Sequence, residues 1–236
     1  MMFFKFFSNK RKEISFIDGI KVIRSSKRRK SISLNVNKGT AVIHCPIFTS
    51  EKYLKSIIKK KKIWIEKKIR EQITQKKIIL KSGAYFPLFG SKKKLIINFS
   101  YKNEIVKKDN RINIRCDNLD AVKKVFEIWL KEKSKKILTW RTKNISKKIN
   151  IGFKTLHLKG YRSRWGCCKN GSQIFLNWKL IMLPKNVIDY VIIHELCHIK
   201  EPNHSKSFWL LVESFDKNFY ESKKWLKNHG SEIISF

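Results

Sequence analysis

Residues 191–204 read VIIHELCHIKEPNH and hold three of the six histidines in the chain. On an α-helix, residues four apart lie about 40° apart around the axis, so His194 and His198 share a face. Their ring nitrogens can then converge on one ion, as a tetrahedral zinc site requires. Glu195 lies one step round, where a carboxylate can reach a metal-coordinated water and act as general base. His204 follows Pro202, a residue that ends a helix and lets the chain turn back towards the metal. Three neutral imidazoles leave one position for water. Zinc lowers the pKa of that water to about 7 and polarises the attacked carbonyl or phosphoryl oxygen, and Glu195 takes the proton and returns it to the leaving group.

The surrounding residues support this chemistry. Val187, Ile188, Val191, Ile192, Ile193, Leu196 and Ile199 clothe the segment with apolar side chains, so it is expected to be buried. Two imidazoles and a carboxylate are costly in such a helix unless an ion satisfies them. Cys197 reads as a small core residue rather than a ligand, and the adjacent Cys167 and Cys168 are poorly disposed to hold one ion together. Arg162 and Arg164 are candidates for oxyanion stabilisation or for plain ion pairs. Tyr190 is either packed core or a neighbour of the ligands, and Asn177, Asp189 and Glu201 are candidates to orient the imidazoles.

Three segments read together, RSRWGCCKNGSQIFLNWKLIMLP (162–184), VIDYVIIHELCHI (187–199) and NHSKSFW (203–209), resemble the YgjP-like family of zinc metallopeptidases. The likeness is strongest over residues 160–210. The histidine spacing also resembles that of metzincin proteases, which carry glycine where this chain has Glu201. The resemblance implies metal ligands at His194, His198 and His204 and a catalytic glutamate at Glu195. It also implies a zincin-like lobe and a distant kinship with SprT-like proteases that act on DNA-attached proteins. Cys167 departs from the family pattern, which has serine after the WG pair.

The flanking elements must position these residues. IKVIRS, SISLNV and TAVIHC within 20–47 alternate as half-buried strands. Ser50 is placed to cap a basic amphipathic helix from Glu51 to about Gln75. YFPLFG, KLIINF and INIRC read as three further strands. Residues 119–149 form a long amphipathic helix with Val122, Phe126, Trp129 and Leu130 on its apolar side. TLHLK, RWGCC and QIFLNW read as strands, the last two joined by the KNG turn. Pro184 opens a helix reaching Lys200, and Ser205 or His204 opens another. His44, on an alternating strand, is the one histidine in the first half.

The expected fold is α+β: a β-rich N-terminal lobe with a basic helix over residues 1–118, and a zincin-like lobe with a short sheet and the HExxH helix over 119–236. The expected function is that of a zinc-dependent hydrolase, a metallopeptidase acting on a peptide or protein. Two alternatives are a hydrolase of a small anion such as a nucleoside triphosphate, and a nucleic-acid-associated protease. A merely structural zinc is disfavoured, because a closed site needs four ligands and no base. The net charge of +36 invites a nucleic-acid partner. The excess is mostly lysine, however, and Ile, Asn and Phe are also abundant, as an A/T-rich genome would produce. Weak, non-specific nucleic-acid binding is the expectation. No apolar run is long enough to cross a membrane, and MMFFKFFSNK lacks the features of a secretory signal. Five cysteines form no even framework, which points to the cytoplasm.

Overall fold

The computed structural model describes residues 12–37, 39–73 and 78–236. The chain divides into two compact units, Met1–Lys76 and Lys77–Phe236. In the first, β1 (Lys12–Ile17) and β2 (Ile20–Ser25) form an antiparallel hairpin through Asp18 and Gly19. Both turn residues have positive φ (50° and 75°), the turn geometry that matches strand twist. β3 (Ser33–Asn37) and β4 (Thr40–Cys45) complete a sheet of order β1-β2-β4-β3, in which β2 and β4 run parallel. Helix α1 (Glu51–Ile73) starts where expected, with Ser50 Oγ accepting from the Tyr53 N–H at 3.4 Å. Its Leu54, Ile58 and Ile65 share a core with Val22, Ile43 and Cys45. The expected end of this helix, near Gln75, and the N-terminal MMFFKFFSNK lie outside the described residues.

The second unit opens with a sheet of order β5-β6-β8-β7, built from β5 (Tyr85–Leu88), β6 (Ser91–Phe99), β7 (Glu104–Lys108) and β8 (Arg111–Cys116). Helix α2 (Leu119–Lys148) follows, its Asn118 cap accepting from the Ala121 N–H at 2.9 Å. Phe86, Leu88, Leu95, Ile112 and Ile114 from this sheet pack in one core with Val122, Phe126 and Leu130 of α2. The boundary therefore falls at 76/77 and not at 118 as the sequence reading placed it. The sheet over 85–116 is fused to the downstream helices by a shared apolar interior.

A three-stranded sheet of order β10-β11-β9 comes next, from β9 (Thr155–Lys159), β10 (Gly166–Lys169) and β11 (Gln173–Asn177). A 3-10 segment, Trp178–Met182, leads to α3 (Lys185–Cys197), which begins directly after Pro184. α3 is shorter than expected: it ends at Cys197 rather than Lys200, with His198 as the capping residue. α4 (Lys206–Phe215) is capped by Ser205, and α5 (Phe219–Ile234) closes the chain. The result is a mixed α+β chain with several small sheets. No helix among the described residues is long and apolar enough to cross a membrane.

Candidate metal centre

His194 lies in the last turn of α3 and His198 at its cap, where φ −63° and ψ −14° keep the residue helical. The i, i+4 relation therefore survives to the last residue, and both rings project to one side. Beyond them the chain tightens: the N–H groups of Lys200 and Glu201 both donate to the Cys197 carbonyl. It turns at Pro202, and α4 begins where Ser205 Oγ accepts from the Phe208 N–H at 3.3 Å. This turn returns His204 to the end of α3. The ligand atoms of His194, His198 and His204 lie within 4.8 Å of one another. Among the described residues no other three His, Cys, Asp or Glu side chains converge in this way.

The first turn of α4 supplies an aromatic floor. Phe208, fully buried, stacks on His198 at 4.5 Å and meets His194 and His204 edge-on, each at 4.9 Å. Trp209 stacks on His204 at 5.6 Å. The sequence reading placed Phe208 and Trp209 only on an apolar helix face. Their position straight after the Ser205 cap was the signal that they sit under the histidines.

The histidine chemistry fits a divalent metal. Nε2 of His194 and Nε2 of His204 are 3.0 Å apart, so either one neutral ring donates to the other or a cation lies between them. Burial first, then His198, His204 and Lys223, hold the His194 imidazole down to a pKa of about 3, so the ring is neutral and has a lone pair to offer a metal. Burial likewise lowers His204. His198 is oriented by the backbone of Glu201: its Nδ1 lies 3.1 Å from the Glu201 carbonyl oxygen. Donation there leaves Nε2 free for an ion. The carboxylate of Glu201 does not take part, since Oε2 accepts from Ser207 Oγ at 3.2 Å.

Glu195 is 6% exposed. Burial pushes its carboxyl up to about 8, against the opposing pull of the Arg164 charge and a hydrogen bond from the Cys168 backbone N–H. Strand β10 lies along this side chain. A Cβ on Gly166 would stand 2.7 Å from both Cγ and Oε1 of Glu195, so only glycine admits the carboxyl here. The need for glycine at this point in RWG was not read from the sequence.

The other candidates separate cleanly. Arg164 acts on Glu195, whereas the charge of Arg162 is felt at Lys179. Asp189 does not orient an imidazole: Arg141 of α2 donates to it through both Nε and a terminal nitrogen, the latter at 2.7 Å. Asn177 donates to the carbonyls of Tyr161 and Arg164 at 2.9 and 3.1 Å, holding the loop that leads into β10. Tyr190 packs edge-on to His194 at 5.8 Å, its hydroxyl pushed up to about 12 mainly by burial. Cys197 is fully buried with its thiol pushed up to about 12, as a core residue should be. Cys167 Sγ lies 3.7 Å from the Tyr161 hydroxyl, outside the histidine cluster. His44 belongs to β4 of the first unit.

Comparison with known proteins identifies the family of the chain. The YgjP-like metallopeptidase domain matches residues 30–229. No curated protein matches. Among solved structures, the metallopeptidase zymogen abylysin of Pyrococcus abyssi is 18% identical, with a TM-score of 0.35 over 39% of this chain and 94% of its own. With the family matched along most of its length, the chain belongs to the YgjP-like metallopeptidases and is a metal-dependent hydrolase.

Proposed function

We propose that the protein is a zinc peptidase in which His194, His198 and His204 hold the metal and Glu195 is the general base. The observation that carries this reading is the convergence of three imidazoles beside a buried carboxyl group. Zinc, when bound, supplies Lewis acidity, which acidifies a coordinated water and polarises the scissile carbonyl. Glu195 accepts the proton of the attacking water and delivers it to the departing amine. Burial raises its carboxyl to about 8, the Arg164 charge and the Cys168 N–H offset part of that rise, and β10 limits its movement. Arg164, whose charge reaches Glu195, is the candidate to stabilise negative charge developing on the substrate oxygen.

β10 is an edge strand beside α3. An extended peptide adding to such an edge would lie across the end of α3, with its backbone held by strand pairing and its scissile bond over the histidines. Glu195→Gln tests the assignment, because the amide keeps shape and burial but cannot accept the proton. The variant should retain about one zinc per chain and lose hydrolysis by at least about 100-fold, the low end of what a general base contributes. His194→Ala and His204→Ala should lose the metal itself. Full zinc content in both would remove the site, and comparable turnover by Glu195→Gln would remove the base.

A further inference from the structure

Lys223 lies on α5 one helical turn after Phe219, and its side chain is exposed. Its Nζ stands 3.8 Å from the centre of the Trp209 ring. That ring stacks on His204 at 5.6 Å and lies 5.8 Å from His194. Among the described residues no carboxylate pairs with Lys223. A lysine stem is flexible and its ammonium prefers water. Here the face of an indole holds the ammonium at the rim of the histidine cluster, on the side of His204. Arg164, stacked 5.6 Å over Tyr161, by contrast has the Glu195 carboxyl within reach of its charge.

We propose that Lys223 is a specificity-determining residue that binds a carboxylate of the peptide substrate on the His204 side of the metal. The inference rests on the zinc peptidase reading above. A peptide offers two such groups, an Asp or Glu side chain next to the scissile bond and the C-terminal carboxylate. Either can meet an ammonium that the protein leaves unpaired. A freely moving surface lysine gives only a weak preference between acidic and neutral ligands of equal size. One fixed over Trp209 discriminates, because the carboxylate replaces the water it loses with a charge-assisted hydrogen bond.

The test needs no known substrate. The full-length protein is loaded with cobalt(II), and dissociation constants are read from the visible spectrum of the metal as peptidyl hydroxamates are titrated in. The hydroxamate is carried at the N-terminal end of each peptide, as a succinyl hydroxamate, and the four probes differ only in having Glu or Gln beside it and a free or amidated C-terminus. The wild type is expected to favour the charged member of one pair by about tenfold, the scale of one charge-assisted contact at a half-open site. The pair concerned identifies the side chain or the terminus as the group bound. Lys223→Gln should bring the preference to within about twofold while leaving the neutral probes unchanged. Lys223→Arg should keep it, and so should Lys224→Gln, which removes a neighbouring charge and separates a local contact from the general basic field. Equal affinity within both pairs for the cobalt-loaded wild type would overturn the proposal, as would a preference that survives Lys223→Gln. Failure to take up cobalt would instead sink the zinc peptidase reading, and this proposal with it.

Discussion

The proposed ligands and base rest on neighbours that carry no chemistry of their own. Histidine and glutamate declare themselves by type and spacing, because only a helix at that point gives i, i+4 convergence. Gly166 and Phe208 matter through what they touch, and the neighbour each touches is remote in sequence: Gly166 lies against Glu195, and Phe208 under three imidazoles. Gly166→Ala makes the point testable. The added methyl would sit 2.7 Å from the Glu195 Cγ and 2.8 Å from Cδ, well inside contact distance. Glu195 is buried, so the strain cannot be relieved by swinging into water. Overpacking of this kind costs about 1–3 kcal/mol. Activity should suffer more than stability, because the carboxyl must leave its working position. The variant is expected to retain zinc and to lose turnover, measured at a temperature where it is fully folded. Unchanged turnover would show that the carboxyl has slack that its burial does not suggest.

At the scale of elements, most strands and helices followed from periodicity, and the misses have physical causes. β7, EIVKK, is a short edge strand with its lysines in solvent, so it carries too little alternation to stand out. α5 has few buried positions, among them Phe219, Ser222 and Ile233, and Gly230 interrupts its pattern. That glycine lies under Trp165, where a Cβ would meet the indole nitrogen at 3.3 Å. α3 was read three residues too long because Pro202 marks where a helix must end, not where it does. The pairing of Arg141 with Asp189, which ties α2 to α3, joins residues far apart in the chain and left no local trace. Because Asp189 serves this tie, Asp189→Asn should lower stability without touching the metal. The pair is partly exposed, at 23% and 33%, so the loss should be about 1–3 kcal/mol. That corresponds to a fall in Tm of roughly 2–12 °C for a chain of this size. Equilibrium dialysis should give an unchanged zinc affinity. A large drop in affinity with little thermal effect would mean that Asp189 acts on the ligands.

For the whole molecule, the charge and the division into units make separate predictions. If the lysine excess reflects composition, binding to DNA or RNA should be weak, indifferent to sequence and steeply lost with salt. Tight binding at near-physiological salt in a filter or anisotropy titration would argue for a dedicated surface. The division is the sharper case. The sequence reading set the break at 118 because all three ligands and the base lie between 194 and 204 and the strands nearest them in sequence lie at 155–178. Which strands share a core with which helix depends on tertiary packing, and the sequence does not state it. Phe86, Leu88, Leu95, Ile112 and Ile114 are each at most 2% exposed and belong to the same interior as Val122, Phe126 and Leu130. Removing these five side chains forgoes about 1.5–3 kcal/mol each, together about 8–15 kcal/mol. That equals the whole stability of a typical domain. A fragment of residues 119–236 should therefore be unfolded by circular dichroism and hold no zinc, although it contains every candidate ligand. A fragment of residues 77–236 keeps the strands that cover α2, and should fold and bind about one zinc. If instead the shorter fragment folds and takes up the metal, the sheet over 85–116 is dispensable and the chain divides at 118 after all.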